Sequence, residues 1–242
     1  MNNLRRLRKL ILQTTRPITD VQPCVLCSSM GLSICCEACQ KDLPRLPQNL
    51  CPQCALPLRQ ETQCSHCQTS QLAFDRTFAA FSFDNPVNHL VHALKYQGNL
   101  ILGVWFAEQL TESVMELHQH NPISAVIGMP LHPLRIAERG FNQSHEIAKH
   151  LAAKIRVPCL TNICHRLHHR PPQVELQLRE RLQLPDGLFD CRADFDGLHI
   201  LLVDDVMTTG ASLNQLAIAV KRQGAHHVTC GIVARAHSHL LS

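Results

Sequence analysis

The sequence predicts an α/β protein, a mainly parallel sheet flanked by helices, preceded by a small amino-terminal module held together by metal. Three observations predict it. From about residue 74, short apolar runs alternate with stretches of helical periodicity, the pattern of parallel strands joined by crossover helices. Ahead of that point, nine of the thirteen cysteines crowd between residues 24 and 67. Finally, the apolar run "HILLV" passes directly into "DDVMTTGAS", two like charges followed by a small hydroxyl-rich loop. Strand cores do not end in paired carboxylates without something opposite them.

The bounds agree with this. A chain of 242 residues, 45% hydrophobic, supplies a core for one large domain or two smaller ones. Its net charge of +4 permits anionic partners without requiring them. No apolar run reaches the length of a membrane span. "LILQ" is too short for a signal-peptide core, and no small-residue cleavage site follows it. A cytoplasmic location is expected.

Residues 1–20 read as a basic lead-in segment. Leu4, Leu7 and Ile11 recur at helical spacing, with Arg5, Arg6, Arg8 and Lys9 largely on other faces. A solvated lead-in helix, a transit peptide, and a basic helix touching nucleic acid or lipid all fit this pattern.

Residues 21–70 read as a double zinc ribbon. The pairs are Cys24/Cys27, Cys36/Cys39, Cys51/Cys54 and Cys64/Cys67, each spaced C-x-x-C. Two intervening residues let both thiolates of a tight knuckle face one tetrahedral ion, so four knuckles make two sites. Gly, Pro and Ser lie between them rather than long periodic helices, as in a fold that metal stabilises. A disulfide scaffold requires an oxidising compartment, and four copies argue against a redox pair. Cys35 competes with Cys36, which keeps the regular spacing. Simple pairing joins the first two knuckles and the last two, and a crossed pairing satisfies the same spacing. "KDLPRLPQNL", with two prolines, reads as the connector.

Residues 74–236 form the expected large domain. "FDRTFAAFSFD" reads as extended. "PVNHLVHALKYQGN" is a helix from Pro86 to Gly98, and "ILGVWFAEQLTESVMELHQH" is another. "ISAVIGMP" is a short strand, "NQSHEIAKHLAAKI" a helix, and "VPCLTNI" strand-like. "HILLV" is a strand, "ASLNQLAIAVKRQGA" a helix and "HHVTCGIVAR" the last strand. "DDVMTTGAS" is expected as a loop, with Ser212 able to cap the helix that follows. Cys159 and Cys230, in apolar runs, read as buried thiols.

That loop carries the chemistry. The start of a helix presents unpaired N–H groups and positive dipole character. Thr208, Thr209, Gly210, Ala211 and Ser212 therefore suit a phosphate, with Gly210 permitting the turn and a close approach. Asp204 and Asp205 suit the vicinal hydroxyls of an attached sugar. Together they read a ribose 5-phosphate. "GMPLHPLRIAERGFNQS" also follows a strand. Its Arg135 and Arg139 suit a diphosphate, and Asn142 and Gln143 are either donors to that group or ordinary residues of a helix start. Lys95 is either a reach toward the anionic site or an exposed helix-terminal lysine.

"LLVDDVMTTGAS" resembles the phosphoribosyl-pyrophosphate (PRPP) loop of type I phosphoribosyltransferases. With "LKYQGN", "RGFNQS", the Gln173, Leu176 and Arg179 stretch, and the multi-cysteine amino terminus, the chain resembles the ComF/GntX family from Cys24 to Arg235. The resemblance implies a type I phosphoribosyltransferase-like fold, PRPP bound with magnesium, structural zinc, and a part in natural competence and the uptake of transforming DNA. Single-stranded DNA and a DNA-uptake helicase are the partners it implies. The chain departs from the family's pattern at "GMP", where Val-Pro is usual, and at His168, Arg170 and Leu184. The long polar stretch 166–189 reads as a lid.

A PRPP site is necessary for phosphoribosyl transfer but not sufficient. No segment identifies a base pocket, and no catalytic residue is assigned. Two functions therefore stand side by side: a transferase with an unidentified acceptor, and a non-catalytic DNA-binding adaptor or sensor that uses PRPP for regulation.

Overall fold

A computed structural model describes residues 21–168 and 187–236. The lead-in segment 1–20, most of the expected lid, including Gln173, Leu176, Arg179 and Leu184, and residues 237–242 lie outside the described residues.

The chain divides into two compact units at Leu43 and Pro44. In the smaller, β1 (Gln22–Pro23) and β2 (Met30–Gly31) form an antiparallel hairpin, followed by the one-turn helix α1 (Glu37–Lys41). The larger unit holds the second pair of C-x-x-C knuckles together with the sheet. It begins with α2 (Ser65–Thr69) and β3 (Arg76–Ser82). Helices α3 (Val87–Gln97) and α4 (Ile101–His120) lead to β4 (Ala125–Gly128). Then come α5 (Pro133–Arg139), α6 (Gln143–Ile155), the short strands β5 (Cys164–Arg166) and β6 (Phe189–Cys191), β7 (His199–Met207), α7 (Ala211–Arg222) and β8 (His227–Arg235).

The sheet runs β3-β8-β7-β4, all parallel. Its central strands are buried on both faces and read as nearly continuous apolar runs, as parallel strands do. On α3, Val87, Leu90, Val91 and Leu94 are buried along one stripe, and Gly98 ends the helix in the left-handed conformation. Helices α4 and α6 pack on the sheet together. A second core joins Phe195, Leu213, Leu216 and Val220 to Ile200, Leu202, Ile232 and the buried cysteines Cys51, Cys54 and Cys67.

Three expectations are corrected. "VPCLTNI" makes only an isolated parallel bridge, Val126 to Cys159, and regular pairing starts at Cys164. Pro158 has no N–H to give the ladder, and Asn162 turns the chain at φ 58°. "PLRIAER", expected within a loop, is the helix α5, with Pro133 in its first turn and Gly140 at its end. Third, β7 does not stop at Val203. It continues through both acids to Met207, because β8 continues opposite it to Arg235.

From β4 the chain moves outward through α6 to the bridge at Cys159; from β7 it moves the other way, through α7 to β8. The crevice above the carboxyl ends of β4 and β7 is thus a topological switch point, where open α/β sheets bind ligands.

Candidate functional site

Asp204 and Asp205 sit at that switch point. Asp205 is buried; its Oδ1 pairs with Lys95 Nζ at 2.7 Å. Its Oδ2 is buried without a hydrogen-bond partner among the described residues, a costly state for a carboxylate oxygen. Burial opposes the charge on Lys95, but Asp205, and behind it Asp204, raise its pKa above the ordinary value. Lys95 is therefore a member of the site rather than a solvated helix-end lysine. Asp204 Oδ1 accepts from Ser144 Oγ at 2.8 Å and from the Asp205 N–H at 2.9 Å. Burial, and then the charge of Asp205, push the Asp204 carboxyl up to about 7, against the pull of Ser144 and Lys95. Two like charges are thus tolerated at a strand end because a lysine faces one and a hydroxyl the other.

Glycine fixes the Ser144 contact. A Cβ on Gly128 would lie 2.7 Å from His145 Cα and 2.8 Å from Ser144 O. Only a residue with no side chain lets α6 settle on β4 and bring Ser144 over Asp204. Asn142 belongs to the same junction. Its Oδ1 caps α6 by accepting from the Ser144 and His145 N–H groups, and its Nδ2 donates to Met129 O. Its oxygen thus serves as the cap, while its nitrogen ties the helix start to the end of β4.

Thr208 and Thr209 form the turn into α7, whose N-cap is Gly210 at φ 79°. Ser212 is in the first helical turn and is not the cap, because the left-handed Gly210 completes the turn two residues earlier. Thr209 Oγ1 accepts from the Ala211 N–H at 3.3 Å. A helix leaves its first N–H groups without intrahelical acceptors, so those of Ser212 and Leu213 are free of the helix ladder. Gly210 permits the tight turn, as expected, at a φ that favours glycine. A Cβ there would meet Met207 Cε at 2.5 Å and the Phe74 ring at 3.6 Å. The close approach it allows is to the core.

Beneath the turn lies a residue that the sequence reading missed. Arg235 ends β8 with 2% exposure. Its Nε donates to Cys54 O at 2.8 Å, and its Nη1 to Met207 O at 3.0 Å, to Ala236 O at 2.7 Å and to Thr208 O. A charged last residue on an otherwise apolar strand was the available signal.

Of the two α5 arginines, Arg135 pairs with Glu138 on the same helix at 2.9 Å. Arg139 lies over the Tyr96 ring, 5.0 Å from its centre, and donates to Gln143 Oε1. Arg139 therefore touches the helix that carries Lys95, one residue from it, while Arg135 is held by a carboxylate.

The cysteines assemble into two tetrads, one in each unit. The sulfurs of Cys24, Cys27, Cys36 and Cys39 lie within 4.8 Å of one another, as do those of Cys51, Cys54, Cys64 and Cys67. Cys27 and Cys36 sulfurs are 3.7 Å apart, and those of Cys54 and Cys64 3.5 Å. Zinc–sulfur bonds of about 2.3 Å in a tetrahedron separate sulfurs by roughly 3.8 Å, so both tetrads fit the ion. Backbone N–H groups of Leu26 and Cys36 point at Cys24 Sγ, and that of Cys67 at Cys64 Sγ. Cys35 is buried outside the tetrad, its thiol pushed up to about 12 chiefly by burial. Cys230 is buried and Cys159 is half-buried, while Cys164 and Cys191 are joined by a disulfide across β5 and β6.

Residues 136–241 match the family described as phosphoribosyl transferase domain, and the fold is type I phosphoribosyltransferase-like. Competence protein F of Haemophilus influenzae is 27% identical over 208 residues, covering 83% of this chain and 90% of that protein. DNA utilization protein YhgH of Salmonella typhimurium is 27% identical over 83% of this chain and 89% of its own length. Competence protein ComFC of Bacillus subtilis is 24% identical, covering 78% of each chain. Among solved structures, a purine phosphoribosyltransferase from Pyrococcus horikoshii aligns with a TM-score of 0.36 and 15% identity, over 54% of this chain and 83% of that one. No helix among the described residues is long and apolar enough to cross a membrane. Along most of its length the chain is thus similar to competence and DNA-utilisation proteins, and it carries a phosphoribosyltransferase-type sheet after its cysteine knuckles.

Proposed function

We propose that the protein binds magnesium PRPP at the carboxyl ends of β4 and β7. Asp204 and Asp205 hold the ribose hydroxyls. Thr208, Thr209, Gly210, Ala211 and Ser212 hold the 5-phosphate, and Arg139, with Arg135, faces the pyrophosphate. The observation that carries this reading is Asp205 Oδ2, buried and without a hydrogen-bond partner among the described residues, a few residues before a helix start. A hydroxyl donor there would satisfy the oxygen, and the same sugar would bring its phosphate to the free amides of α7. Magnesium enters with the ligand and neutralises the pyrophosphate. Zinc in the two tetrads is structural.

For function we divide the chain into a cysteine-rich part, residues 21–70, that meets nucleic acid, and a ligand domain, residues 74–236. The protein then serves in the cytoplasm in the handling of transforming DNA, with single-stranded DNA and an uptake helicase as partners. The names of the relatives, competence and DNA utilisation, support that setting. The second of these names speaks of DNA and neither of a transfer reaction, which favours a second reading, an adaptor or sensor that binds PRPP without turnover. Calorimetric titration with magnesium PRPP tests the site; absence of binding refutes it. A screen of nucleobases for pyrophosphate release then separates transferase from sensor.

A further inference from the structure

We propose that Arg235 is a positioning residue through which the tetrad Cys51, Cys54, Cys64 and Cys67, filled with a divalent metal, sets the shape of the turn from Met207 to Ser212. The inference rests on reading that turn as the phosphate seat.

The chain of contact is short. One side of the Arg235 guanidinium donates to the carbonyl of Cys54, a tetrad residue; the other side donates to Met207 O and Thr208 O, the first carbonyls of the turn. In a trans peptide the C=O and the following N–H point in opposite directions. Drawing the Met207 and Thr208 carbonyls toward Arg235 therefore turns the N–H groups of Thr208 and Thr209 away from it, the orientation an anion receptor requires.

Charge makes the arrangement depend on the metal. A divalent ion with four thiolates carries a net charge of −2. The filled tetrad also fixes the knuckle that presents the Cys54 carbonyl to Arg235. Emptied of metal, a knuckle loses the bonds that hold its shape, and the guanidinium loses a fixed acceptor on that side. The turn that Arg235 organises from the other side should then loosen.

A second route joins the same knuckle to the same turn. Gln53 Nε2 donates to Phe74 O at 3.0 Å, and Thr77 Oγ1 donates to Gln53 O at 2.6 Å. The Phe74 ring lies against Gly210. Next to it, the Ala73 N–H donates to Asn214 Oδ1 on α7 at 2.6 Å. The knuckle is fastened to both flanks of the turn, which favours a coupled device over an incidental contact.

The test uses the full chain, with bound metal counted by native mass spectrometry. Hydrogen exchange is followed at residues 208–213, with amides in α4 as the folding control. Magnesium PRPP affinity is measured alongside. In Arg235→Lys with both metals retained, exchange at 208–213 should rise by about tenfold or more, the scale of losing charged hydrogen bonds. In a chain carrying Cys64→Ser and Cys67→Ser, one metal should remain and exchange should rise similarly. Combining these with Arg235→Lys should add little, because the route is already cut; a purely structural arginine would instead leave metal dependence intact. Wild-type exchange at 208–213 in Arg235→Lys overturns the inference, as does metal dependence that survives it. If the wild type binds no magnesium PRPP, the proposed function fails, and the exchange measurement still decides the role of Arg235.

Discussion

Asp204→Asn should make the free protein more stable and the ligand site worse. Asn keeps an oxygen to accept from Ser144 Oγ and the Asp205 N–H, and removes the charge beside Asp205. The Asp204 carboxyl titrates near 7 in the folded chain, against an ordinary 3.8. At about 1.36 kcal/mol per pH unit, its ionisation disfavours the folded state by roughly 4 kcal/mol once complete. The folded pKa is raised, so the folded chain binds the extra proton. Wild-type stability is then highest, as far as this group decides it, below about pH 4, falls as pH rises toward 7, and stays low above that. The variant lacks this loss. Urea unfolding of both proteins at pH 5, 6, 7 and 8 should show the variant's advantage growing with pH and levelling off above 7, at about 2–4 kcal/mol. Magnesium PRPP affinity at pH 8 should drop by about tenfold or more, since a charged acceptor for a sugar hydroxyl is lost. A stability difference that does not change with pH, or a variant less stable at pH 8, would refute the reasoning.

Gly128→Ala should lower stability by about 1–3 kcal/mol, as overpacking against backbone does, and should weaken ligand binding by moving Ser144; unchanged thermal unfolding would show that α6 yields freely. Purified protein should hold two zinc ions, and chelation should unfold the cysteine knuckles; metal-free protein with disulfides across the C-x-x-C pairs would sink that expectation. Gly210→Val should destabilise the fold at least as much as it weakens ligand binding, because its side chain points at Met207 and Phe74; a fully stable variant that has lost only the ligand would contradict this. Binding of single-stranded DNA should be weak and salt-sensitive, and should fall when residues 1–43 are removed; unchanged affinity would place the DNA elsewhere.

The sequence disclosed the sheet and the acid pair for a physical reason. Buried parallel strands and stripes such as Val87, Leu90, Val91 and Leu94 leave periodic marks. Other features left weaker marks or none. Helix α5 was signalled by Pro133 at its start and Gly140 at its end, yet seven residues between two apparent loops offer little period. The extension of β7 through Asp204 and Asp205 depends on its partner β8, and partnership is not local information. Arg235 was hidden for the same reason: its value lies in carbonyls contributed from residues 54, 207 and 208. C-x-x-C spacing announces a metal knuckle but not what it packs against. That is why the second tetrad's place in the core of the larger unit was not foreseen.

The segment that follows Pro44 also closes an edge. Ser82 N–H donates to Pro44 O, and Thr77 N–H donates to Pro52 O, so residues 44–52 run antiparallel beside β3, the outermost strand on that side of the sheet. Arg45 adds its guanidinium over the Phe81 ring at 4.3 Å. An outer strand with open donors invites pairing with another chain. A protein shortened to begin after Cys67 would bare β3 and take away the Cys54 carbonyl beneath Arg235, and should precipitate as intermolecular sheet. One begun at Pro44 keeps both, so Pro44, and not the residue after Cys67, is where the polypeptide is safely cut.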